Sequence, residues 1–139
     1  MQRHQLPVTL LSALLLVGCG ASRPGSGAGA EATPPGFVVS TNEPFWQARV
    51  EGREVVLDGP GVQARRFAVD SDAESGGARV VVASDAAGRI TIRLSPGPCR
   101  DSMSGAEFPF SGELEIDGAG AARGCARPAG MPPPRPAGD

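Results

Sequence analysis

The sequence predicts an all-β domain of about seven or eight short strands, a small antiparallel barrel or, alternatively, a two-layer sandwich. Three observations predict it. Apolar and polar residues alternate with period two through most of residues 37–127, the spacing of strands with one buried face. Turn signals rich in glycine, aspartate and proline separate the alternating runs. No window carries an amphipathic helix of ten or more residues, so a parallel α/β sheet would lack its crossover helices.

Before that domain come two segments of different composition. Residues 1–18 read as a secretory leader, with Arg3 and His4 at its start and a mostly apolar run from Leu6 to Val17. That run is too short to span a bilayer, which takes about 20 apolar residues. Residues 19–36 contain Gly-Ala-Ser-Arg-Pro-Gly and similar stretches with almost nothing to bury. They read as a tether, stiffened near its end by Pro34 and Pro35.

The strands follow in order. In "WQARVEG", Trp46, Ala48 and Val50 share one face, and Gln47, Arg49 and Glu51 face water. "REVVLD" is next, ended by Gly59-Pro60-Gly61. Phe67 and Val69 share a face in "RRFAVDSD", and Asp70 to Gly77 reads as a loop. "ARVVVAS" is β-branched, and Asp85 to Gly88 reverses the chain. In "RITIRLS", Ile90, Ile92 and Leu94 point inward; in "FSGELEID", Phe110, Leu114 and Ile116 do so. A last short strand delivers Cys125. Ser95 to Phe110 breaks the alternation and reads as a long crossing loop with one helical turn. Residues 128–139, with Pro132, Pro133 and Pro134, read as a frayed, extended tail.

Composition excludes several chemistries. The single histidine is His4, inside the leader, and lysine and tyrosine are absent. A Ser-His-Asp relay, a Cys-His pair, a Schiff base and a histidine-held zinc therefore have no residues to build them from. Net charge is −2 over 139 residues, with acidic and basic groups interspersed. No basic patch points to nucleic acid. Asp70, Asp72 and Glu74 resemble the start of a calcium loop. Ser75 and Val81 stand where that loop needs glycine and glutamate, so no metal is expected. No cofactor is expected, and the chain reads as no enzyme.

Three cysteines remain to be explained. Leu16-Val17-Gly18-Cys19 closes the apolar run and resembles the lipobox of bacterial lipoproteins. That resemblance implies lipidation (palmitate among the acyl groups) of Cys19 as the first residue after cleavage, and a membrane contact through the lipid. Two or more acyl chains make a lasting anchor. Gly20 at the next position favours the outer membrane, facing the periplasm. Cys99 and Cys125 are most simply a bridge, closing a loop of roughly 25 residues and worth about 3–4 kcal/mol; free or metal-binding thiols are the alternative.

Two further segments carry a second resemblance. Glu43-Pro44-Phe45-Trp46 is one; Cys99, Asp101, Met103, Ser104 and Phe108-Pro109-Phe110, followed by Gly124-Cys125-Ala126, is the other. Together they resemble a family of small bacterial lipoproteins and envelope proteins of uncharacterised function. The resemblance implies the cysteine bridge and an envelope location, and nothing catalytic.

The candidate binding or structural residues are accordingly Glu43, Phe45, Trp46, Asp101, Met103 and Ser104. Trp46 can fill the centre of a small barrel, and Phe45 then faces the other way as a contact residue or closes the barrel's mouth with it. Asp101, Ser102 and Ser104 can cap a turn, and Met103 can plug a core gap. The functional expectation is an envelope lipoprotein presenting a small β domain for a structural role or a protein partner. One alternative is an inhibitor of a cell-wall hydrolase such as lysozyme, which needs an acidic or polar loop such as Asp101–Ser104. The other is a carrier of a small apolar ligand, which needs a cavity above about 300 Å³.

Overall fold

The computed structural model describes residues 32–138. The leader, Cys19 and most of the tether lie outside the described residues. Eight antiparallel strands run as an up-and-down meander and close into a barrel. They are β1 (Phe37–Thr41), β2 (Gln47–Glu51), β3 (Glu54–Gly59), β4 (Val62–Ser75), β5 (Ala78–Ser84), β6 (Arg89–Arg100), β7 (Glu107–Ile116) and β8 (Ala122–Pro128). β8 pairs with β1, from Phe37 opposite Pro128 to Thr41 opposite Gly124, and this seam closes the barrel.

The alternation read from the sequence fills the interior. Ala48, Val50, Leu57, Phe67, Ile90, Ile92, Leu94, Phe110 and Leu114 are among the buried members of one cluster. Its tight spots are glycines. A Cβ on Gly124 would stand 1.9 Å from the Ser40 carbonyl oxygen across the seam, and one on Gly59 would stand 2.1 Å from the Trp46 ring.

β1 was not legible as an alternating strand, because it is buried on both faces. Phe37 and Val39 belong to the interior cluster, whereas Val38 between them is equally buried and lies outside it. Over that outer side of the barrel lie the β6–β7 hairpin and the returning tail. The hairpin's bulge between Pro96 and Cys99 interrupts the register, and bulges bend the strand that carries them. The hairpin then reaches across the outside of β8 and β1. Cys99 bonds to Cys125, with 5.5 Å between their Cα atoms, and Asn42, just past β1, bonds to Asp101. Ala106 and Cys125 are buried in this outer layer.

Three expectations are corrected here. Asp70 to Ser75 is strand and not loop: β4 continues to Ser75 after a bulge between Val69 and Ser71, paired with β5. Beyond the bulge every residue to Ser75 is exposed, so neither face carries an apolar phase. Ser95 to Phe110 holds no helix; it is the two-stranded hairpin, with a short turn between Arg100 and Glu107. The tail does not fray up to residue 137. Ala129 N–H donates to Gly36 at 2.9 Å, Ala137 N–H donates to Ser104 at 3.0 Å, and the Arg127 guanidinium donates to the Met131 carbonyl. Arg127 faces outward from β8 and is almost fully buried, so the folded-back tail supplies the acceptor its buried donors need.

Arg65 and Arg79 occupy inward positions, since each alternates with core residues (Phe67 and Val69; Val81 and Ala83). They stand at opposite ends of the barrel. The Arg65 guanidinium lies 4.5 Å from the Phe67 ring centre and bonds to Asp85 at 2.7 and 3.0 Å and to Asp117 at 3.0 Å. The Arg79 guanidinium lies 5.1 Å from the Phe37 ring centre, bonds to Asp72 at 2.8 and 2.6 Å, and donates to the carbonyls of Pro34 and Pro35. Each end of the apolar interior is thus stoppered by a cation over an aromatic face.

Two stability changes are expected. Gly124→Ala should lower the unfolding free energy by about 1–3 kcal/mol, the cost of overpacking, read from the urea midpoint. Gly120→Ala, whose Cβ would meet nothing within 4 Å, should leave that midpoint unchanged or slightly raised. Reducing the Cys99–Cys125 bridge should cost about 3 kcal/mol on the chain-entropy scale, and equal midpoints with and without reductant would contradict this.

Candidate functional site: the two joined loops

The two motif segments, fifty-five residues apart in the chain from Trp46 to Asp101, meet in space. The first is the β1–β2 loop, residues 42–46. Its base is closed by Thr41, whose N–H donates to the Trp46 carbonyl at 2.9 Å. The Thr41 hydroxyl donates to the Pro44 carbonyl at 2.6 Å and accepts from Trp46 N–H at 3.1 Å. Thr41 is fully buried, so it meets its polar needs entirely within this loop. The second segment is the tip of the β6–β7 hairpin, residues 101–106. Asn42 joins them: its side-chain amide donates to Asp101 Oδ2 at 2.8 Å and to Ser102 Oγ at 3.0 Å.

Asp101 organises the tip. Its Oδ1 accepts from Ser104 N–H and Ser104 Oγ, both at 2.7 Å, and from Met103 N–H at 3.2 Å. Its backbone closes the turn through Ala106 and Gly105. These donors, Ser104 first, then Asn42 and Met103, hold its carboxyl down at about 2. Such a carboxylate stays ionised and saturated with donors; it is a hub, not a proton carrier. Ser104 has its hydroxyl committed to Asp101, and among the described residues there is no histidine or lysine to activate it.

The side chains around this hub are placed differently from one another. Glu43, Asp101, Ser102 and Met103 line one open cleft of about 740 Å³ with Cys99 and Cys125. Met103 does not plug a core gap: it is 76% exposed, because the turn that Asp101 builds directs it away from the barrel. Phe45 is 55% exposed, and these two are the exposed large hydrophobic side chains among the described residues. Trp46 does not fill the barrel's centre. It precedes β2 and lies partly buried at one end, its ring against the glycine surface of Gly59. Of the two aromatics, then, Trp46 closes the mouth and Phe45 faces solvent.

Sequence reading missed Asn42, Arg65, Asp85 and Asp117. The last three tie β4 to the β5–β6 and β7–β8 turns at the same end of the barrel. Asp85 is held well below the usual carboxylate range by Arg65, helped by the N–H groups of Ala87 and Gly88. Asp117 is lowered by Arg65 and by the Arg89 N–H. Arg65 is raised in turn by its bonds to Asp85 and Asp117. A usable signal existed, since Arg65 sits in phase with Phe67 and Val69. Asn42 had none, because its partner is distant in sequence.

Among the described residues no group of three or more histidine, cysteine, aspartate or glutamate side chains is placed to hold a metal ion. No family model, curated protein or solved structure matches the chain, so the site is read from its own geometry.

The Asp101 hub makes an acid-stability prediction. Its folded carboxyl titrates near 2 and its unfolded one at about 4. Its stabilisation is therefore complete above about pH 4 and is lost as pH falls toward 2. Asp101→Asn should be less stable than the parent at pH 7, since its amide would face that of Asn42 or the Ser104 N–H groups. The gap should narrow between pH 4 and 2 in urea titrations. A gap independent of pH would show that the carboxylate charge is not what holds the tip.

Proposed function

We propose that this chain is a non-enzymatic lipoprotein of the bacterial envelope, anchored through Cys19, whose barrel presents the 42–46 loop and the 101–106 tip to a protein partner. The observation that carries the reading is the exposure of Phe45 and Met103 on two loops locked together by Asn42 and Asp101. Because the two loops are held by hydrogen bonds, binding need not order their backbones, and aromatic and methionine side chains are enriched in protein interfaces. Asp101 and Ser104 in the hairpin tip are already committed to each other, which fits a framework for contact. The Asp101 carboxylate is spent on its own turn, which weighs against it as the group an inhibitor would send into an enzyme cleft; Glu43, exposed in the adjoining loop, is the acidic side chain left for that alternative.

The anchor reading rests on the Leu16–Cys19 motif behind a matching apolar run. Labelling cells with an alkyne-bearing palmitate should tag the wild-type chain and not Cys19→Ala, and the variant should leave the membrane fraction. A chain that stays unlabelled would remove the anchor. For the contact surface, photocrosslinking from position 103 should yield a discrete adduct that Phe45→Ser abolishes while the urea midpoint stays unchanged. An adduct indifferent to Phe45→Ser would place the partner elsewhere.

A further inference from the structure

The end of the barrel stoppered by Arg65 carries a second concavity, distinct from the cleft beside the hairpin tip. It encloses about 480 Å³ and is lined mainly by Trp46, Leu57, Val62, Leu114, Ile116 and the β7–β8 turn. Leu57 and Leu114 form its floor and belong to the buried interior cluster. Trp46, Val62 and Ile116 are only partly covered and pack against that cluster as walls. The rim is the β7–β8 turn, which Asp117 fixes by its bonds to Arg65 and to the Arg89 N–H. The Ala119 N–H, bonded to Ile116 at 2.9 Å, shapes it further. The interior proper is filled by side chains, so this is a pocket at the mouth and not a barrel lumen.

Its chemistry is specific. The walls and floor are apolar, and the volume lies within the range of small-molecule sites. The two charged groups at its edge, Arg65 and Asp117, are paired with each other, and Arg65 is paired again with Asp85. An anionic ligand would have to compete with two carboxylates for one guanidinium. The indole N–H of Trp46 has no hydrogen-bond partner among the described residues, and no buried polar side-chain atom there lacks one; the indole donor is therefore within reach of solvent. We propose that this mouth pocket binds a small uncharged apolar molecule carrying one hydrogen-bond acceptor, of the aromatic ketone or ester class. The apolar part sits on Leu57 and Leu114 against the Trp46 ring, and the acceptor takes the indole N–H. The site uses no side chain of the hairpin tip but takes Pro44 and Trp46 from the 42–46 loop, so Phe45→Ser, which removes only the outward contact, separates the two surfaces.

Trp46 is the sole tryptophan of the chain, so its fluorescence reports on this pocket alone. The test uses the full chain carrying Cys19→Ser, titrated with Prodan, an uncharged solvatochromic naphthyl ketone. Expected are saturable quenching of Trp46 and a blue shift of probe emission with the same midpoint. Gly120→Leu, at a rim position whose Cβ meets nothing within 4 Å, should fill the pocket and weaken binding about tenfold or more. Phe45→Ser should leave binding unchanged. If Gly120→Leu is unfolded by circular dichroism, Val62→Gln on the opposite wall serves for the same comparison. Quenching that never saturates, or equal affinity in the folded pocket variant, would overturn the proposal.

Discussion

A sheet that closes on itself abolishes its edges and leaves two open ends. In a barrel with a filled apolar interior, those ends are where water would otherwise meet the core. This chain answers with an inward-facing arginine at each. Arg65 lies over Phe67 and Arg79 over Phe37, and each guanidinium is clamped by a bidentate aspartate. Arginine suits the task because its flat, weakly hydrated head can cover a ring with one face while its edge serves acceptors. Surface ion pairs in general add little. Here the pairs matter by position: Asp85 and Asp117 come from two different turns, so one side chain fixes the relative placement of three hairpins.

The second layer follows from the first. A closed barrel normally shows polar residues on its whole outer face, yet Val38, Cys125 and Arg127 are buried there. The β6–β7 hairpin and the returning tail cover them, and the bridge from Cys99 to Cys125 joins strands that are not neighbours in the barrel order. Because the hairpin is held to the wall at the disulfide and again at Asn42, its tip is displayed as a fixed surface. Exposure of Met103 is a consequence of that fastening: the Asp101 turn has no core gap within reach, only solvent.

Strands whose two faces differ were legible in the sequence. β2, β6 and β7 carry their apolar residues in alternation; of the inward residues named from pattern, Ala48, Val50, Ile90, Ile92, Leu94, Phe110 and Leu114 are buried, while Trp46 and Ile116 at the strand ends are partly covered. Three elements escaped for one shared reason: each departs from a single buried face. β1 is covered on both sides, so its apolar run has no period. The far half of β4 is exposed on both sides beyond a bulge, so Asp70 to Ser75 has no apolar phase at all. The β6–β7 hairpin changes face at its own bulge, so its pattern loses phase midway. At the site, Asp101 and Ser104 were readable as turn formers from local chemistry. Their link to Asn42 was not, since nothing in one sequence reports a hydrogen bond between residues so far apart.

The same logic separates the two surfaces at the loops. A residue that interrupts the alternation by being polar in an apolar phase must be satisfied where it stands, as Arg65 and Arg79 are. A residue that is apolar where the fold leaves it in water has no such partner, and Phe45 and Met103 are of this kind. Trp46 lies between the cases: its ring is seated on Gly59, while its N–H is unclaimed among the described residues. The β1–β2 loop therefore points two ways from one fixed base. Phe45 faces outward from the barrel, and Trp46 turns in toward the mouth. Thr41 makes this split geometry possible, since its buried hydroxyl bonds both Pro44 and Trp46 and so sets the orientation of the residue between them.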